Sequence, residues 1–129
     1  MNPYIGHESQ LRGVEEHHLV GGKGDGMRLY EIHNGTGLDM TISPDRNGDI
    51  TRLRYKGINL SYFSPCGYVA PAYYDKVGSN WLQSFTAGFL TTCGLQAVGS
   101  PVRMRENYFR FMDLLQIFHV KNLTGLRRK

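Results

Sequence analysis

Fifteen of the sixteen glycines and all five prolines lie before residue 102. The first 101 residues are broken every few positions by turn-forming residues, while the stretch from Arg105 to Asn122 holds neither glycine nor proline. Charge divides at the same point. Residues 1–101 carry 8 Lys/Arg against 9 Asp/Glu, a formal charge of −1; residues 102–129 carry 7 against 2, a charge of +5. The net +4 therefore belongs to the tail, and the two parts are read separately.

The body has the rhythm of short strands and tight turns. Met27–Ile32 ends at Asn34-Gly35-Thr36-Gly37, after which Leu38, Met40 and Ile42 alternate with Asp39, Thr41 and Ser43. That period of two is the pattern of a half-buried strand. Pro44-Asp45 and Asn47-Gly48 interrupt the chain again, and Ile50–Tyr55, Lys56-Gly57 and the alternating Ile58–Tyr62 follow. Three strands joined by turns of a few residues predict an antiparallel meander. Residues 65–79, rich in Gly, Pro and Tyr, read as a long irregular connection. Gly21–Gly26 lacks the spacing and the Lys-Ser/Thr ending of a phosphate loop, so it reads as a turn into the strand at Met27. In the tail, Tyr108, Phe111, Met112, Leu115 and Phe118 fall at helical spacing, which predicts a helix. Its other faces carry Phe109, Leu114, Ile117 and Val120, leaving no clean polar side.

Several classes are excluded at this level. At 129 residues and 40% hydrophobic content, the chain is one domain or part of one, with enough apolar surface to fold. No apolar run reaches the length of about 18 residues that a membrane-spanning helix needs. Met1–Glu8 lacks a basic region followed by an apolar stretch, which predicts no signal peptide and a cytoplasmic location. Cys66 and Cys93 form no CxxC pair and read as free thiols. The adjacent His17 and His18 diverge on either a strand or a helix, and His7, His33 and His119 have no ligand spacing, so no metal site is expected. The basic tail interleaves its aromatics with aliphatics and carries no nucleic-acid motif, so no nucleic-acid or membrane partner is expected.

Two segments carry candidate chemistry. In Pro44-Asp45-Arg46-Asn47-Gly48-Asp49-Ile50, an arginine set between a proline turn and a strand start is a positioned bidentate donor for sugar hydroxyls or a carboxylate. A structural Arg–Asp pair tying down the turn is the simpler alternative. Phe85-Thr86-Ala87-Gly88-Phe89-Leu90-Thr91-Thr92-Cys93-Gly94-Leu95 joins hydroxyls, a thiol and aromatics, the usual lining of a polar-ligand cleft. A buried strand is its plain alternative.

These segments, with Tyr4–Leu11, Gly24–Arg28, Tyr62–Pro65 and Ser84–Pro101 in the same order, resemble the bacterial aldose 1-epimerase-like family of the galactose-mutarotase superfamily. The resemblance covers nearly all of residues 3–101. It implies a β-sandwich whose concave face binds a monosaccharide or sugar derivative without a cofactor. It also implies mutarotase-type chemistry, in which a carboxylate takes the anomeric hydroxyl proton and a histidine protonates the ring oxygen. By the resemblance Arg46, Phe85, Thr91, Thr92 and Cys93 are the sugar-binding residues. The chain departs from the family in two places. Asn47 stands between Arg46 and Gly48, and past Pro101 the acidic loop and Leu-His-Gly motif are missing.

The expectation is an all-β chain: a partial antiparallel β-sandwich over residues 1–101, with a short helical tail over 102–129 that is foreign to the family and reads as an out-of-frame translation. Its function is carbohydrate binding of the aldose 1-epimerase kind, with no catalytic residue assigned and negligible activity from this truncated chain. The alternatives are a non-catalytic sugar-binding module and an adaptor whose basic tail binds an acidic partner. Open sheet edges and an uncovered apolar face favour self-association.

Overall fold

The computed structural model of the chain describes residues 4–75 and 77–92, together with the backbone of two short strands at 102–104 and 107–109. The strands are β1 (Gly13–His18), β2 (Arg28–His33), β3 (Leu38–Ser43), β4 (Asp49–Tyr55), β5 (Ile58–Asn59), β6 (Tyr62–Phe63), β7 (Ala87–Gly88), β8 (Val102–Met104) and β9 (Asn107–Phe109). The first five form one antiparallel sheet in chain order, as the meander pattern predicts, while β6 pairs with β7 and β8 with β9.

Turn chemistry places the strand ends. The Asn34 side chain accepts the backbone N–H groups of Thr36 and Leu38 at 2.8 and 2.9 Å, closing the β2–β3 hairpin. Between β3 and β4, Pro44–Arg46 forms one 3-10 turn with proline in its first turn. Asn47 at φ 59° and Gly48 at φ 79° then reverse the chain. A β-bulge between Thr41 and Ile42 shifts the β3–β4 register, so Arg52 lies opposite Thr41 and Ile50 opposite Ile42, with Thr51 the extra residue between them.

Register and pleat sort the sheet into two faces. Val14, Ile32, Met40 and Leu53 stand in one cross-strand row, with Tyr30, Ile42 and Ile50 in the next. This apolar face has no fully buried member: Val14 is 64% exposed, Tyr55 45%, and the aliphatic groups between them are half-buried. The opposite face carries Glu15, Glu31, Thr41 and Arg52 in one row and His33, Asp39 and Arg54 in the next. One end of that polar face is covered by the connection after β6. There Met27, Leu29 and Val69 form the buried apolar core, surrounded by buried Thr41, Ser43, Arg46, Asp49, Thr51 and Thr86.

Three local expectations change. Ile58–Tyr62 is not one strand: Asn59 caps Ser61 through its amide and carbonyl, Nδ2 donating to Ser61 O at 2.7 Å, which splits the segment into β5 and β6. β1 joins the sheet as a further strand, made of Val, Glu and His residues that alternation did not mark. In the tail, Asn107–Phe109 is a strand paired with β8, not part of a helix. Tyr108 and Phe109 are good strand formers. The rest of the expected helix lies outside the described residues.

Candidate functional site

The two segments with candidate chemistry meet. Asp49, first residue of β4, accepts the backbone N–H of Thr92 at 2.7 Å and the Thr92 hydroxyl at 2.8 Å. The same hydroxyl lies 3.3 Å from Asn47 O. Next along the chain, Phe89 N and Leu90 N donate to Ile50 O at 2.8 and 3.2 Å, and Ile50 N donates to Leu90 O at 2.9 Å. This docking brings Gly88 so close that a Cβ there would stand 2.6 Å from Ile50 O, and its φ of 136° is one that side chains rarely adopt. Residues 43 positions apart thus form one unit.

Arg46 is only 4% exposed. Its Nη1 donates to Val69 O at 3.0 Å, and its Nε lies 3.6 Å from Asp49 Oδ2, too far for a hydrogen bond. Nε and the buried Ser43 Oγ have no hydrogen-bond partner among the described residues. Burial pushes the Asp49 carboxyl above its ordinary range, against the Thr92 donors and Arg46. Burial likewise lowers the Arg46 guanidinium, against Asp49. Desolvation therefore outweighs attraction on both sides of the pair, the usual balance for a buried ion pair. Asp45 is turned the other way. It accepts Arg28 N at 2.6 Å and the Arg28 guanidinium at 3.1 and 3.2 Å, tying the turn to the start of β2.

Arg46 and Thr92 are thus brought together through Asp49, a residue the sequence reading did not assign to the site. Its signal was the i, i+3 spacing to Arg46. Phe85 packs edge-on against Trp81, ring centroids 5.3 Å apart, and its carbonyl lies 3.1 Å from the Cys66 thiol. Thr91 is half-buried next to Thr92. Cys93 lies outside the described residues.

The uncovered part of the polar face holds a small cavity of about 110 Å³, lined by Glu31, His33, Asp39, Thr41, Arg52 and Arg54. His33 Nδ1 is 2.8 Å from Asp39 Oδ1, and this hydrogen bond raises the basicity of the imidazole. His17 sits 3.5 Å from Glu15 and 3.9 Å from Glu31. A hydrogen-bonded link ties the cavity strand to the connection after β6. Thr51 Oγ1 donates to Thr41 O at 3.2 Å and lies 3.0 Å from Tyr68 OH, next in chain to Val69. Among the described residues no three His, Cys, Asp or Glu side chains converge as metal ligands, and no helix is long and apolar enough to cross a membrane.

The antiparallel all-β architecture, taken with the family and the solved structure that the chain matches, is of the galactose mutarotase-like class. The family described as Domain of unknown function (DUF4432) matches residues 24–112, well over half of the chain, and the chain belongs to that family. It is also similar to the crystal structure of a "putative aldose 1-epimerase" from Klebsiella pneumoniae subsp. pneumoniae MGH 78578. The TM-score is 0.52 and the identity 32%, over 57% of this chain and 20% of that one. The chain thus matches about a fifth of the length of that structure. No curated protein matches the chain.

Proposed function

We propose that the chain carries part of a carbohydrate-binding site of the aldose 1-epimerase kind and does not catalyse anomer exchange by itself. The observation that carries this reading is the union of the two segments most specific to the resemblance through Arg46, Asp49 and Thr92. A sugar offers paired hydroxyls that both donate and accept, and a hydroxyl- and aromatic-bearing segment anchored through Thr92 is suited to meet them. In this reading Thr91, Thr92, Cys93 and Phe85 face the sugar. Arg46, spent on Val69 and Asp49, is a positioning residue that holds the segment in place. Mutarotation needs a positioned acid and base on the anomeric centre. The Leu-His-Gly segment that would supply the histidine does not occur in this sequence.

The test is a titration of the full chain with hexoses, read by the fluorescence of Trp81, the single tryptophan, beside polarimetry of a freshly dissolved anomer. A saturable fluorescence change that weakens in Thr92→Val, with mutarotation at the buffer rate, is the expected result. Absence of any saturable change across the hexoses would end the carbohydrate reading. Mutarotation above the buffer rate would end the claim of inactivity.

A further inference from the structure

Arg52 is an arginine whose flat faces are occupied and whose edges are not. Its guanidinium carbon lies 4.8 Å from the Phe63 ring centroid and 5.9 Å from that of Tyr68, while the side chain lines the cavity on the polar face. Phe63 and Tyr68 brace each other edge-on with centroids 4.9 Å apart, so the stack is held in place. Among the described residues the Arg52 side chain makes no hydrogen bond or ion pair, although Glu31 and Asp39 line the same cavity. A guanidinium carries five N–H donors, and no Arg52 nitrogen is among the buried unpartnered atoms of the described residues, so these donors are open to solvent and to a ligand. Stacking fixes the plane and leaves the fork open, an arrangement suited to bidentate capture of an oxyanion. Arg54, two residues on and on the same face, is likewise without a hydrogen bond or ion pair among the described residues.

Facing this pair of cations are acceptors. Thr41 lies opposite Arg52 and Asp39 opposite Arg54 on β3, with Glu31 and His33 one strand further on β2. Strands lie about 4.8 Å apart, so Asp39 stands one spacing from the arginines and Glu31 and His33 two. A volume of about 110 Å³ in a cavity open to solvent has room for a small polar group such as a carboxylate.

We propose that this cavity receives the carboxylate of a sugar acid, gripped by the Arg52 fork with Arg54 as second cation, while Asp39 and Glu31 accept from the neighbouring hydroxyls and the His33 imidazole donates to them. The sugar part of this proposal rests on the reading above that the chain binds carbohydrate, although Thr91, Thr92 and Phe85 do not line this cavity; the anionic part rests on the open guanidinium. A carboxylate is the planar partner of a stacked guanidinium fork, and with Glu31 and Asp39 offsetting the two arginines the cavity gives a second negative charge no net gain.

The experiment titrates the full chain with a hexose, the matching hexuronate, the hexose 6-phosphate and acetate, at neutral pH and constant ionic strength. The hexuronate is expected to bind at least about tenfold more tightly than the hexose, the order that a charge-assisted hydrogen bond supplies. Arg52→Met keeps the stem against the rings and removes the fork; it should bring hexuronate affinity down to that of the hexose and leave the hexose unchanged. Arg52→Lys should recover only part of the difference. Should Arg52→Met not fold by circular dichroism, Arg54→Gln is the second variant, expected to lower hexuronate affinity severalfold. Equal affinity for hexose and hexuronate would overturn this inference and leave the carbohydrate reading standing. Binding of neither would end both. A phosphate ester held as tightly as the hexuronate, or acetate alone held so, would overturn the assignment to a sugar carboxylate.

Discussion

Ala87 and Gly88 stand side by side at φ 59° and 136°, at the point where the 85–92 segment touches β4. The two positions make opposite demands. At Gly88 an added Cβ meets the Ile50 carbonyl at 2.6 Å and Thr51 Cα at 2.9 Å, backbone atoms that cannot swing aside. Gly88→Ala is therefore expected to cost about 1–3 kcal/mol, as overpacking does. Ala87 already holds a left-handed conformation that costs an L-residue about 1 kcal/mol or more. Ala87→Gly relieves this at the expense of a freer unfolded chain, so it should leave stability within about 1 kcal/mol of the parent. Urea unfolding of both variants decides the matter; equal losses would show that the close approach is not what selects glycine. The same scale separates Arg46 from Arg52. Both are arginines near the sheet, yet one is enclosed with its charge matched by Asp49 and the other is stacked with its donors unused. Only the first was singled out in the sequence, because a Pro-Asp-Arg turn is a visible pattern, whereas Arg52 is one basic residue in an alternating strand.

Between elements, the decisive contacts are side chain to backbone across long separations. The alternation that marks β3 and β4 is local and was readable, as was the turn between them. Asp49 binding Thr92 depends on where the chain returns after more than forty residues, and no spacing announces it. Asp49→Ala is expected to cost about 3–5 kcal/mol, since it leaves the Arg46 charge buried without its partner. It should also expose the Phe89 and Leu90 amides to hydrogen exchange; unchanged protection there would contradict the tie. The β2–β3 pair adds a pH-dependent contact. His33 titrates above its ordinary value because of its hydrogen bond to Asp39. Its contribution is therefore complete below about pH 6.5 and fades as pH rises through the folded value. The pair is half exposed, so the loss is expected to be a few tenths of a kcal/mol. His33→Gln should flatten stability between about pH 6 and 8; an unchanged slope would place the pH dependence elsewhere.

At the scale of the whole molecule, the described residues build a sheet whose polar face is partly roofed and whose apolar face is not. Three buried apolar side chains make a small core, and more buried groups are polar than apolar. Rows such as Val14–Ile32–Met40–Leu53 remain half open. A continuous apolar face beside open sheet edges favours association. Sedimentation is expected to show growth with concentration that Val14→Lys and Tyr55→Lys, both at exposed positions of that face, reduce. A monomer at every concentration would mean that the face is covered.

The sequence alone determined the antiparallel meander, the positions of its turns and the kinship to aldose 1-epimerase-like proteins. Strand alternation, the φ preferences of Asn, Gly and Pro, and contiguous motifs are all local properties. Only the tertiary structure decided that Arg46 is enclosed, that Asp49 joins the two motifs, and that Arg52 stacks on Phe63 and Tyr68 with its fork open. Each of these depends on which distant segment covers which end of the sheet. That is settled by packing and desolvation over the whole chain, and no short window of residues contains it.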